Sequence, residues 1–222
     1  MPYEFTAKRG TAQRDAGQVQ FQCRVNNNCN KACTARTKRG TACRIKACRF
    51  YGLCWIHARA QLHVVLRDSR HIQGIKGLVA YDTVKQRAGQ PVFKKGERLP
   101  FDYRGESLNR DVLGDRYDQK DAAGNVVEVT APYAVDRNHA QTVVVDGACQ
   151  RHPAAYINDA HGTTQSNNIN IRATPKGRFY PKVFALRDIF HGDELFFAYG
   201  TEYWQDHGDA YLQTSTNYVS KH

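Results

Sequence analysis

Four side chains in one short stretch, Cys33, Cys43, Cys54 and His57, have the types and spacing to hold a metal ion. Zinc takes four soft or borderline ligands at tetrahedral angles, and the two-residue gap in Cys54-Trp55-Ile56-His57 lets one turn of chain present two of them. The set closes loops of nine and ten residues, and Thr37-Lys38-Arg39-Gly40-Thr41 between the first two ligands reads as a turn, with Gly40 free to take a positive φ. Cys23, Cys29 and Cys48 are left over. They are either plain thiols or ligands of a second ion, completed by one more residue such as His63. So short a segment buries little core, and a metal there staples the fold.

The same stretch is basic. Residues 1–60 hold twelve Lys and Arg against two Asp and Glu, +10, whereas residues 61–222 hold twenty against nineteen, +1. Arg36, Lys38, Arg39, Arg44, Lys46 and Arg49 crowd around the ligands, with Phe50, Tyr51 and Trp55 among them. Cations interleaved with aromatics suit phosphate contact plus base stacking, so the first part is expected to meet DNA or another polyanion.

The elements that must position these groups are short. The chain has 222 residues, 41% hydrophobic and 24% charged, which suits one domain of about 150 residues with a small appendage. No stretch approaches the roughly 20 apolar residues of a membrane span. The opening MPYEFTAKRG lacks the apolar centre of a signal peptide, so a secreted protein is not expected. Seven cysteines, an odd number, then favour thiol or metal chemistry over a disulfide framework. From residue 64 onward, apolar or alternating runs recur at Gly77–Ala80, Val126–Val129, Thr142–Val145, Ile169 and Ile171, Val183 and Ala185, and Leu195–Tyr199. Bounded by Gly, Asn, Asp and Pro, they predict many short strands. Trp55–Arg67 is the best helical candidate, and the polar Asp111–Asn125 reads as an exposed loop or insertion.

Four segments in order resemble the SET-domain protein lysine methyltransferases. They are Gly74-Ile75-Lys76-Gly77-Leu78-Val79-Ala80, Phe93–Leu99 continuing to Tyr103-Arg104-Gly105-Glu106, Ala155–Ala160 followed by Asn167-Asn168-Ile169, and Leu186–Ile189 followed by Gly192–Gly200. The metal stretch is similar to short zinc-binding modules of large DNA viruses. Several positions depart from the family. Asp159-Ala160 stands where His-Ser is usual, Ala155 where an Arg often precedes the aromatic, and Ile75 where Gly is common. No Cys follows Cys149, so the family's three-cysteine closing cluster is missing. Tyr203, Trp204 and Tyr211 would wall the site instead.

The resemblance implies a mostly β SET fold of small sheets with a knotted C-terminal segment, plus the N-terminal zinc-bound module. It divides the chain into a module at 1–62, a SET domain at 63–202 and a closing segment at 203–222. It implies S-adenosylmethionine as methyl donor, held by Lys76, Gly77, Leu78, Tyr156, Asn158, Asp159 and Trp204. Gly74 and Gly77 would let backbone approach the donor, and Asn158 would hold its amino-acid end. Tyr199 would be the central catalytic group and Tyr103 would line the lysine channel, with Phe197 and Tyr203 controlling substrate and product. A Phe rather than a Tyr at 197 leaves room for a methylated amine to turn, implying di- or trimethyl-lysine. No general base is required, and Asp159 and Glu194 are assigned surface or structural roles. The implied substrate is a histone, a nucleosome or another basic chromatin protein, in a nucleus, viral factory or virion. The alternative is an inactive SET-like body serving as a nucleic-acid or chromatin-binding module. The oligomeric state is left open, homodimer included.

Overall fold

The structure, a computed structural model, describes residues 31–47, 53–117, 119–120, 126–128, 133–147, 152–175, 179–201 and 203–204. Cys23, Cys29, Cys48, Phe50, Tyr51, Tyr211 and most of the expected closing segment lie outside them. At the N-terminal end, β1 (Lys31–Ala32) and β2 (Lys46–Ala47) pair antiparallel, and Arg36 bridges Ala42. The turn they enclose is closed by Thr37 N–H donating to Thr41 O at 2.8 Å, and Gly40 takes φ 76° as its position requires.

Helix α1 (Trp55–Leu62) follows, rich in the helix formers Ala, Arg, Gln and Leu. It buries Ala58 and Leu62 in the main core, while Leu53 just before it packs against both that core and the cysteine cluster. The helix stops five residues short of the expected Arg67. His63 turns left-handed (φ 53°, ψ 36°), and its side chain pairs with Asp82 at 3.2 Å. Val64-Val65-Leu66 then alternate as strand, because β-branched residues lose less in a pleated ribbon than in a helix. Strand β3 (Val64–Asp68) pairs antiparallel with β4 (Lys76–Ala80) in register from Val64↔Ala80 to Asp68↔Lys76.

A short helix α2 (Thr83–Arg87) is capped by Asp82, whose carboxylate accepts from the N–H groups of Val84 and Lys85. Beyond it come β5 (Arg98–Asp102), β6 (Glu106–Asn109), helix α3 (Arg110–Tyr117), β7 (Gln119–Lys120), β8 (Val126–Glu128), β9 (Ala134–Asp136) and β10 (Val143–Asp146). Residues 111–125, expected as loop, therefore contain a helix, which buries Leu113 and packs on β6 and β10. A 3₁₀ turn at Pro153–Tyr156 precedes β11 (Ile169–Arg172) and β12 (Lys182–Ala185).

Two three-stranded sheets result, β6-β10-β9 and β11-β12-β5, beside the ribbons β1-β2, β3-β4 and β7-β8. Leu66, Leu78, Phe93, Leu99, Phe101, Ile157, Ile169, Val183 and Leu195 form the core where they meet. The segment Leu195–Tyr199, expected as a strand, is held together with Glu194 by bridges and single bonds. It passes between 157–159 and 168–169: Phe197 N–H donates to Asn158 O at 2.9 Å, and Ile169 N–H to Phe196 O at 2.8 Å. The expected architecture, small sheets with a threaded C-terminal segment, is present.

Candidate active site and metal cluster

The threaded segment brings Tyr199 to the wall of a cavity of about 450 Å³, lined also by Tyr103, Ile157, Phe197 and Tyr203. All four expected catalytic and channel residues thus share one space. Tyr199 Oη donates to Ile157 O at 2.9 Å, which spends the hydroxyl proton on a fixed carbonyl. Tyr103, buried, donates likewise to Tyr133 O at 2.8 Å. Tyr203 stands edge-on to Tyr199 with ring centres 4.8 Å apart, and the Phe197 ring lies 4.8 Å from Tyr199, tilted by 55°. Burial pushes the Tyr203 phenol up to about 12, with the Asp159 carboxylate adding to the rise. The cavity wall therefore resists charge of its own.

Asp159, a departure from the family pattern, is the junction of this wall. It is 5% exposed. One carboxylate oxygen accepts from Tyr199 N–H at 2.8 Å and from the Trp204 indole N–H at 2.9 Å. The other accepts from His161 N–H at 3.0 Å and Asn167 Nδ2 at 3.3 Å. Trp204 stacks on His161 at 4.3 Å and lies parallel to Tyr199 at 6.2 Å. The structural role expected for Asp159 is therefore an interior one.

Glu194 is likewise interior. Its carboxylate accepts from Asn158 Nδ2 at 3.1 Å, Ser69 Oγ at 3.0 Å and Arg70 N–H at 3.4 Å. It also explains Gly77: a Cβ there would fall 2.1 Å from Glu194 Oε1. The glycine is needed for the close approach of that carboxylate. Gly105 is fixed the same way, by Asp146 backbone 2.2 Å from where its Cβ would be. Asn158 spends both amide hydrogens, on Glu194 and on Lys76 O at 3.1 Å, so only its carbonyl oxygen is offered to a ligand. These bonds tie Asn158 to Lys76 and to Glu194 beside Gly77, and Asp159 to both Tyr199 and Trp204. Tyr156 is buried in the 3₁₀ turn beside β4. Leu78 lies in the core with its carbonyl taken by Leu195 N–H at 2.8 Å. The Ile157 and Tyr133 carbonyls, which aim the two hydroxyls, carry no sequence signal, because any residue supplies a carbonyl.

At the other end, the ligand atoms of Cys33, Cys43, Cys54 and His57 lie within 4.8 Å of one another. His57 Nδ1 is 3.4 Å from Cys33 Sγ and 3.2 Å from Cys54 Sγ, and the Cys43 and Cys54 sulfurs are 3.9 Å apart. Those separations fit a tetrahedral ion with bonds of about 2.0–2.3 Å. Burial pushes the Cys54 thiol up to about 11, and the nearby Cys33 sulfur adds to it. A cation among the sulfurs would offset that penalty. Among the described residues no helix is long and apolar enough to cross a membrane.

Three solved chains that align with this one come from polycomb repressive complex 2. One is a complex with H3K27me3 and H3K27M, at 25% identity and TM-score 0.45, over 73% of this chain and 16% of that one. A second is the Chaetomium thermophilum complex, at 25% and 0.44, over 72% and 17%. A third is an autoinhibited form bound to S-adenosylmethionine, at 22% and 0.44, over 81% and 18%. The chain thus spans less than a fifth of each of those proteins. No curated protein matches it. A family model for the SET domain matches residues 76–200, from the strand at Gly77 through the threaded segment to Gly200. With more than half of its length in that match, the chain belongs to the SET-domain family.

Proposed function

We propose that the protein is a protein-lysine N-methyltransferase that acts on a histone or another basic chromatin protein and proceeds to di- or trimethyl-lysine. The observation that carries this reading is the Tyr199 hydroxyl, which donates to Ile157 O within a cavity walled by Tyr103, Phe197 and Tyr203. With its proton so committed, the oxygen turns its lone pairs to whatever lies beside it, and weak C–H···O contacts to a polarised methyl group are what such an oxygen makes. S-adenosylmethionine would supply that methyl group. Lys76, Gly77, Leu78, Tyr156, Asn158, Asp159 and Trp204 would hold it, the Asn158 oxygen accepting from its ammonium. The aromatic wall strips water from an entering lysine and so disfavours its ammonium form, the same effect that raises the Tyr203 phenol.

Cys33, Cys43, Cys54 and His57 would hold a structural zinc. The exposed Arg36, Lys38, Arg39, Arg44 and Lys46 around it would meet DNA. The division at 1–62, 63–202 and 203–222 is part of the same reading, as is action in a nucleus, viral factory or virion. The deciding experiment pairs calorimetry of donor binding with mass spectrometry of core histones and of one peptide followed to completion. The expected result is donor binding, transfer to lysine and accumulation of di- or trimethyl-lysine, shifted toward monomethyl-lysine by Phe197→Tyr. Absence of both binding and transfer overturns the reading and leaves a binding module.

A further inference from the structure

The charge that the linear sequence hides lies on the outer face of the β5-β12-β11 sheet. Its inner face is the core: Val183, Ala185 and Ile169 are at most 2% exposed. The outer face carries Arg98 and Asp102 on β5, Lys182 and Phe184 on β12, and Asn170 and Arg172 on β11, brought side by side by the pairings Lys182↔Asp102, Phe184↔Arg98 and Arg172↔Lys182. Arg104 follows at the end of β5. Asp102 is shared by Arg98 at 2.9 Å, Lys182 at 3.1 Å and Arg104 at 3.7 Å. Arg172 stands opposite Lys182 on β11, so the face sets four cations against the Asp102 carboxylate, in a body whose net charge from residue 61 onward is only +1.

The cations are also laid against rings. Arg172 lies over Phe184 at 4.5 Å, Arg104 and Arg137 over Tyr180 at 5.7 and 5.2 Å, and Lys182 over Phe179 at 5.6 Å. Ordinary folds hold about one such pair per 70–80 residues, so four around one sheet face is a concentration. Phe179 is 60% exposed. Repulsion among the cations is relieved further by a ligand of opposite charge. Duplex grooves admit a helix or a two-stranded ribbon, whereas a sheet face of planar guanidinium and aromatic groups matches unstacked bases with a phosphate backbone beside them.

We propose that this face binds a single strand of nucleic acid, with Arg98, Arg104, Arg172 and Lys182 on phosphates and Phe179 as a stacking platform. Its residues, 98–184, lie outside the basic metal stretch of the sequence. Binding is read without donor or methyl transfer, so its outcome is independent of the catalytic reading. The test is fluorescence anisotropy of a labelled oligothymidylate of about 15 nucleotides, a length within the span of one single-strand site, on the full chain across a salt series. Arg104→Ala/Arg172→Ala should lower the slope of log affinity against log salt by about 1.4, at about 0.7 for each phosphate no longer neutralised. Phe179→Ala, at an exposed position, should weaken binding at least about fivefold while leaving the slope unchanged. The same effects should appear in a Lys38→Ala/Arg39→Ala background. Unchanged affinity and slope in the double variant overturns the proposal, and so does equal competition by a duplex of the same length.

Discussion

Tyr199 illustrates how little of a catalytic group resides in its own side chain. Its hydroxyl is aimed by the Ile157 carbonyl and its backbone by Asp159. Tyr199→Phe removes the oxygen and keeps the ring packing against Phe197 and Tyr203. Methyl transfer should fall by two or more orders of magnitude, roughly 3 kcal/mol for a missing preorganised oxygen, with donor binding nearly unchanged. Wild-type turnover would show that another group does this work. Asp159 should act through position. Asp159→Ala removes an acceptor of the part-buried Tyr199 N–H and Trp204 indole N–H, at up to about 1–3 kcal/mol for each, and loosens Trp204. Asp159→Asn keeps an acceptor and should rescue part of the loss. The chain has two tryptophans, so in a Trp55→Phe background the emission of Trp204 should shift to the red in Asp159→Ala and much less in Asp159→Asn. Identical emission from all three proteins would mean that Asp159 does not hold the indole.

Among the elements, α1 carries two jobs that the sequence presented as separate. His57, half-buried, belongs to the metal cluster, and Ala58 and Leu62 belong to the core of the SET body. Loss of the metal should therefore weaken both parts. Cys43→Ala should take zinc content from one ion per chain to none. It should also lower the thermal midpoint of the body by about 6–12 °C, the equivalent of roughly 3 kcal/mol for loosening a buried Leu and its neighbours. A body transition that stays in place after the metal is lost would show the two units to be uncoupled. The strands β4, β10, β11 and β12 were legible because alternation or an apolar run marks a buried strand. The cluster was legible because ligand spacing is local. Strand β5 and helix α3 were not, since Arg98–Asp102 is broken by a proline and α3 is largely polar, and tertiary pairing decided both. Asp159 was read as surface or structural, and its bond to a tryptophan forty-five residues away is one that local pattern cannot see.

For the molecule as a whole, acid should be the condition that opens the body, and His152 is where it acts. The side chain is 3% exposed at the start of the 3₁₀ turn, with its ring 6.4 Å from Phe101 in the core. Burial drives its pKa down to about 3, with the Arg104 cation adding to the depression and Asp102 opposing it. The unfolded chain binds the proton near 6.5, so above that pH both states are neutral and the full stability is present. Between about 6.5 and about 3 the unfolded state takes up a proton that the folded state refuses. Stability is then lost at up to about 1.4 kcal/mol per pH unit as the pH falls. Thermal midpoints at about pH 7, 5.5 and 4.5 should decline steeply in the wild type. His152→Leu, which keeps an apolar side chain of similar bulk, should decline less, because it removes the proton uptake while leaving every carboxylate in place. The difference between the two curves should be constant above about pH 7 and move in favour of the variant toward about pH 4.5. Parallel curves over that range would show that His152 is not the acid-sensitive group.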